Sequence, residues 1–272
     1  MEYEEYREKI KAWRQKMDDA LRAEDSWLAL AGLFWLSEGS NRMGTDSSSI
    51  ILLPKRNLPR HVADIVLEGD EVSLLIRSEA PLAVDGQVVQ RAKLVPDIAG
   101  SPTEIKLGEL TMILINRGDR FAIRLWDNQR TQRVEFGGRK WYPIQESYRL
   151  NAQFIAYQPV KIMIFPNELG EVEENEVVGY IPFTMGGKEC RLDVVEVAEN
   201  RLLIMFKDLT SSVQTYPPGR YLVMEAPIND GVVLDFNRAY NPPCAFTKYA
   251  TCTFPPPQNH LPVPVEAGER YG

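Results

Sequence analysis

Near residue 30 the hydrophobic period of this chain changes from that of a helix to that of a strand, and it does not change back. Before that point Tyr3, Tyr6, Ile10, Trp13, Met17 and Leu21 recur at steps of three and four, so they line one face of a helix over 3–22. Charged residues such as Glu5, Lys9, Lys11 and Lys16 fill the positions between. The stripe is expected to pack on the body of the protein. A protruding helix that joins two chains into a homodimer is the sharper alternative. A second short helix is expected over 26–30, with Asp25 or Ser26 as its N-cap.

Beyond it, short apolar runs alternate with turns. The runs at 50–53, 65–67, 72–76, 105–107, 112–115 and 121–125 are separated by turns such as Glu68-Gly69-Asp70, Asp85-Gly86 and Arg117-Gly118-Asp119. That spacing predicts an antiparallel sandwich. A second set at 162–165, 177–183, 191–197, 201–206, 221–224 and 232–236 predicts a further antiparallel β unit. The tail then changes character, because ten of the 19 prolines lie between Pro217 and Pro264. Proline lacks the backbone donor that a central strand needs, so the tail is expected to be an extended strap laid over the surface. Tyr240, Phe246, Tyr249 and Phe254 give it the means to dock. The reading is a mainly β chain: a helical arm over 1–30, a sandwich over 31–126 and a second antiparallel β domain with its strap over 127–272.

Composition narrows the function classes. With 44% hydrophobic and 25% charged residues the chain is globular, not disordered. No apolar run approaches the roughly 18–20 residues of a membrane span. The opening residues are acidic and polar, without the apolar core of a secretion signal, so a cytoplasmic location is expected. Net charge is −7, with the acid excess in the C-terminal part and no basic stripe, which excludes nucleic acid as the expected partner. Glu168, Glu171, Glu173, Glu174 and Glu176 read as a solvated loop.

Chemistry-bearing candidates fall in two stretches. Asp235, Asn237, Arg238, Tyr240 and Asn241 crowd the end of the last apolar run, where amides, a carboxylate and a guanidinium are able to grip a polar ligand from several sides. The bland alternative is that they satisfy the backbone of a strap with no ladder of its own. Asp208, Thr210, Tyr216 and Arg220 form the second group, read as an ion pair bracing a turn or as a carboxylate in a pocket. If Asp208 and Asp235 converged they would make a paired acid and base. Cys244, Cys252 and His260 recur at steps of eight, which is not zinc-ligand spacing, and buried structural cysteines are the plainer reading. A nucleophilic cysteine would have His260 as its nearby base. With two histidines in the chain and no phosphate loop, nucleophile elbow or dinucleotide glycine set, no metal and no cofactor are expected.

Two family resemblances follow from longer motifs. The opening 39–53, a glycine and polar spacer before Ile50-Ile51-Leu52, is similar to the start of forkhead-associated domains. Pro59-Arg60-His61 falls where that family has its Ser-Arg-x-His element. Val84-Asp85-Gly86-Gln87 resembles its Val-Asn-Gly turn, and Leu107-Gly108-Glu109 with Met112 and Ile113 its closing motif. The resemblance implies a β-sandwich. Its phosphothreonine grip does not carry over: Thr45 stands where the family has arginine, and Leu58 or Pro59 where it has serine. His61 is then expected to pin a loop.

Residues 118–272 resemble the bacterial and archaeal family known as domain of unknown function 1684. The resemblance is carried by Arg124-Leu125-Trp126-Asp127 with Phe136-Gly137-Gly138 and Trp141-Tyr142-Pro143. Phe206-Lys207-Asp208-Leu209-Thr210 with Gly219-Arg220-Tyr221-Leu222 continues it, and the long run 234–246 with Cys252 and Pro256-Pro257-Gln258-Asn259 is its most specific part. This resemblance brings no activity. The expectation is a binding protein with a site between its two β units, lined by Asp208, Tyr216, Arg220, Asp235, Asn237, Arg238, Tyr240 and Asn241, that holds a small polar ligand or a peptide segment. The alternatives are a hydrolase-type enzyme using Asp208 or Asp235, and a structural dimerising protein.

Overall fold

The computed structural model describes residues 3–168, 170–198, 200–227 and 229–272. The chain makes two compact units, one from Leu21–Phe136 and one from the residues up to Ala20 together with Gly137–Gly272.

The first unit is two packed sheets. One runs in the spatial order Leu30–Trp35, Arg120–Asp127, Leu110–Arg117, Glu104–Leu107, Ala83–Val84 and Gln87–Val88. The other runs Ile51–Leu52, Gly39–Gly44, Ala63–Glu68, Glu71–Ile76 and Arg91–Leu94. Met43, Ile65, Val72 and Leu74 of one sheet share a core with Ile105, Met112, Leu114, Ile123 and Leu125 of the other. The turns form as their residues dictate. Asp85 and Gly86 both adopt positive φ, 47° and 77°, which folds Val84 onto Gln87 in a tight two-residue hairpin. Gly44 has no room for a side chain, since a Cβ there would sit 2.1 Å from the Arg60 carbonyl oxygen.

The short helix expected over 26–30 does not form. The Ser26 hydroxyl donates to the Leu21 carbonyl at 2.7 Å and so closes the end of the first helix instead of opening a second. A single turn follows, and Leu30 pairs with Trp126 as the start of a strand.

The helix Tyr3–Arg22 belongs to the second unit up to Ala20, where it buries Tyr6 and Ile10. A five-stranded antiparallel sheet runs in order Ile155–Pro166, Val172–Met185, Lys188–Ala198, Arg201–Phe206 and Arg220–Glu225. A ribbon of Arg149–Gln153 with Gly231–Asp235 stands beside it. The acidic cluster expected as a loop lies largely on a strand, because Glu173, Glu174 and Glu176 pair across to Phe165, Ile164 and Ile162.

The proline-rich tail is not confined to the surface. Leu261, Val263, Val265 and Ala267 alternate into the core with Leu192, Ile204, Phe206, Leu222, Leu234 and Phe236. Pro262 and Pro264 face outward between them, where no ladder partner is lost. The tail joins none of the named sheets but makes short backbone bridges, the Leu261 amide to the Lys207 carbonyl at 2.8 Å and the Leu209 amide to the Val263 carbonyl at 3.1 Å, and its remaining backbone groups need other hydrogen-bond partners. The polar residues of this unit supply many of them.

Candidate functional site

Arg220 opens the last strand of the five-stranded sheet, and its side chain is wholly buried. Its guanidinium lies 2.9 Å from Asp208 Oδ2, donates to the Val265 carbonyl at 2.9 Å, and reaches the carbonyls of Ala267 and Glu269. The planar fork thus serves several carbonyls of the tail at once, which an ammonium does not do. Asp208 is held from its other side by the Thr210 amide and hydroxyl, at 2.8 and 2.6 Å, and by the Val265 amide at 3.1 Å. Thr210 in turn meets the Thr215 hydroxyl at 2.9 Å.

Asp235 caps the helical turn Phe236–Arg238 by accepting the Asn237 amide at 3.1 Å. The Tyr6 hydroxyl donates to its carboxylate, 2.9 and 3.0 Å from the two oxygens. Burial first, and the Asp235 charge second, push the Tyr6 phenol well above its ordinary range, so it stays a donor. Asn237 is fully buried. Its Nδ2 donates to the Gln145 carbonyl at 2.8 Å and to the Tyr6 hydroxyl oxygen at 2.9 Å, and its Oδ1 accepts the Gln145 amide at 3.0 Å. Arg238 stays half-exposed, 4.0 Å from Asp235.

The helix is clamped further along. Trp13 packs edge-on against Trp141 and Tyr240, and Arg14 covers Trp141 and donates to the Tyr142 carbonyl at 2.9 Å. The stripe, expected to pack on the body of the protein, does so here through Tyr6, Ile10 and Trp13. Tyr240 exchanges backbone hydrogen bonds with Tyr221 at 2.8 and 2.9 Å. Tyr216 packs its ring edge-on against Tyr271 at 4.9 Å.

Asn241 leads to two residues that the sequence reading missed. Its amide donates to Glu269 Oε2 at 2.8 Å, and its Nδ2 donates to the Arg270 carbonyl at 3.0 Å. Glu269 is almost wholly buried and pairs with Arg139 at 2.5 Å. Arg139 lies over the Phe246 ring. The one available signal was the alternation of Leu261, Val263, Val265 and Ala267, which puts Glu269 in phase with the apolar positions and Glu266 out of phase.

Burial raises the Glu269 carboxyl from its ordinary 4.5 to about 7, against the opposing pull of Arg139 and the Asn241 amide. Folding therefore favours its protonated form. The stabilisation is complete below about pH 4.5 and is lost as pH rises through about 7, so this group makes the protein less stable across that window. The steepest slope is about 1.4 kcal/mol per pH unit. Melting temperatures of the wild type and Glu269→Gln, taken across the same window, should diverge in slope, with the variant flatter.

The sequence expectation set Asp208, Tyr216, Arg220, Asp235, Asn237, Arg238, Tyr240 and Asn241 between two β units; every one of them belongs to the unit containing Gly137–Gly272. Asp208 and Asp235 have no hydrogen-bond partner in common among the described residues. Cys244 and Cys252 do meet, for the Cys244 amide donates to the Cys252 sulfur at 3.2 Å, while His260 faces outward. Among the described residues no three His, Cys, Asp or Glu side chains are grouped to hold a metal ion. In the sandwich unit, Thr45 donates to the Pro59 carbonyl at 3.2 Å, Arg60 pairs with Asp46 at 2.6 Å, and His61 Nε2 lies 2.8 Å from Asp64 Oδ1. His61 is thus tied to the strand Ala63–Glu68 through Asp64.

A different surface is left open. Strand Ile155–Pro166 ends the five-stranded sheet, and among the described residues no strand pairs with its outer edge. Ile162 and Ile164 are exposed by 57% and 62%, and Val160 is exposed beside them. Across the pairing Ile162 faces Glu176 and Ile164 faces Glu174, both exposed, so apolar and acidic side chains share one face. At the start of the strand Gln153, Phe154, Ile155, Ala156, Gln158 and Asp230 line an open hollow of about 360 Å³. At its end the Pro166 carbonyl takes the Phe254 amide at 2.7 Å.

Comparison with known proteins gives the following. A family model described as protein of unknown function (DUF1684) matches residues 134–270. No curated protein matches. Among solved structures, the chain is similar to an uncharacterized protein of Haloarcula marismortui solved in solution, with 27% identity over 51% of this chain and 79% of that one, at a TM-score of 0.43. It is also similar to a forkhead-associated domain from a study of phosphothreonine-dependent interactions, with 21% identity over 35% of this chain and 92% of that one, at a TM-score of 0.25. The EmbR protein of Mycobacterium tuberculosis, in complex with a low-affinity phosphopeptide, is similar at 16% identity over 47% of this chain and 32% of that one, with a TM-score of 0.25.

Proposed function

The chain belongs to the family described as protein of unknown function (DUF1684), and from that premise we propose that it is a binding protein that takes up an extended peptide along the open edge of strand Ile155–Pro166. The unpaired edge supports this reading, because a free row of backbone donors and acceptors is what strand addition uses. The partner is an extended segment whose every second residue, on the face it shares with Ile162 and Ile164, is apolar or basic. Its apolar positions cover Val160, Ile162 and Ile164, and its basic positions meet Glu174 and Glu176. The hollow around Gln158 and Asp230 receives a polar end of the segment. Asp208, Arg220, Asp235, Asn237 and Asn241 then serve as internal braces. A ligand seated among them would have to displace hydrogen bonds that they already make.

Selection from a displayed random-peptide library tests this. The expected yield is peptides with apolar and Lys/Arg residues at every second position, whose binding weakens with added salt. Ile162→Lys with Ile164→Lys, both at exposed positions, should lower their affinity at least about tenfold, equivalent to about 1.4 kcal/mol. Binding that survives this double change, or the absence of any selected peptide, would overturn the reading.

A further inference from the structure

We propose that Cys244 and Cys252 are a peroxide-sensitive dithiol that closes to an internal disulfide, with Cys244 as the attacking sulfur and Cys252 as the resolving one. The juxtaposition is built by the tail. Cys244 lies in the helical turn Pro243–Ala245, partly exposed, while Cys252 is buried eight residues on. The Cys244 amide donates to the Cys252 sulfur at 3.2 Å. An N–Cα bond of about 1.46 Å then places the Cys244 Cα within about 4.7 Å of that sulfur. This is compatible with the roughly 4.4–6.8 Å between Cα atoms that a disulfide requires.

Exposure assigns their roles, since Cys244 is partly exposed to a peroxide and Cys252 is buried behind it. Contact with the Cys252 thiol, and after it with the Tyr216 hydroxyl, holds the Cys244 thiol below its ordinary range, against burial. The same contact, together with burial, pushes the Cys252 thiol up and keeps it protonated. Cys190 is the internal comparison. It is buried on strand Lys188–Ala198, its thiol is raised by burial, and its sulfur donates to the Lys188 carbonyl at 3.7 Å.

The chemistry balances with a hydroperoxide as the oxidant. The Cys244 thiolate attacks the terminal peroxide oxygen, the O–O bond breaks, and hydroxide (or an alkoxide) leaves to be protonated. Cys244 is then a sulfenic acid. The Cys252 sulfur attacks the Cys244 sulfur, the S–O bond breaks, and the departing hydroxyl takes the Cys252 proton as water. Two thiols lose two electrons and two hydrogens, and one peroxide is reduced.

The experiment treats the native full-length protein with hydrogen peroxide, then unfolds it, alkylates the remaining thiols and maps the peptides. The expected result is a Cys244–Cys252 cross-link reversed by dithiothreitol, with Cys190 alkylated as a free thiol. Cys252→Ser should stop at a sulfenic acid on Cys244 that dimedone traps, and Cys244→Ser should slow thiol loss at least tenfold. The wild-type map decides the linkage even if either variant folds poorly. Oxidation of Cys190 at the rate of Cys244, or over-oxidation of Cys244 without a cross-link, would overturn the proposal.

Discussion

Replacing Arg220 by alanine is expected to cost about 3–5 kcal/mol of stability, the usual penalty for removing one partner of a buried ion pair. The size follows from what is left behind. Asp208 stays buried with a charge answered only by the Thr210 amide and hydroxyl and the Val265 amide. The carbonyls of Val265, Ala267 and Glu269 lose the guanidinium that donates to them. Arg220→Lys keeps the charge but not the fork, so it should fall between the wild type and alanine. Adding Asp208→Asn to Arg220→Ala should recover part of the loss, because no uncompensated charge then remains. Urea unfolding followed by far-ultraviolet circular dichroism measures all of these. A loss under about 1 kcal/mol for Arg220→Ala would match a solvated ion pair and would contradict the bracing role.

Asn237→Ala carries the second largest effect, about 3 kcal/mol. Its side chain meets both the amide and the carbonyl of Gln145 and also bonds to Tyr6 and Asp235. Alanine fills none of these roles, and each buried group left unpaired costs about 1–3 kcal/mol, reduced where neighbours relax toward one another. The same residue ties the N-terminal helix to the body, so unfolding of the helix should precede the rest in the variant. Tyr6→Phe removes only the hydroxyl. A double-mutant cycle between the two should show coupling of 0.5 kcal/mol or more, as expected for directly bonded side chains. Additive losses would mean that the helix docks through Ile10 and Trp13 without the polar contact.

The elements whose signals are local were legible in the sequence. The change of period separated the helix from the strands, and Asp85-Gly86 announced its hairpin because both residues tolerate positive φ. Strand Gly39–Gly44 was missed because Met43 is its one large apolar residue, and its place comes from pairing with Ala63–Glu68. The short helix at 26–30 failed because Ser26 bonds backward to Leu21, a choice that composition does not reveal.

The candidate polar residues were found by type, since Asp, Asn and Arg next to prolines mark both ligand grips and backbone braces. What separates the two uses is the partner, and the partners are remote: Tyr6 lies 229 positions from Asp235, and Arg139 lies 130 from Glu269. The open strand was hidden for a related reason. The run at 162–165 reads like any other strand, and only the sheet order places it at an end.

Amide hydrogen exchange, with and without a selected apolar–basic peptide, tests most directly where binding occurs. The expected result is slowed exchange at strand Ile155–Pro166, its neighbour Val172–Met185 and the hollow at Gln153 and Asp230, with residues 206–225 and 235–241 unchanged in rate. Slowing centred on Asp208, Arg220, Asp235 and Asn237, with the edge strand unaffected, would contradict it and return the binding site to the buried polar cluster.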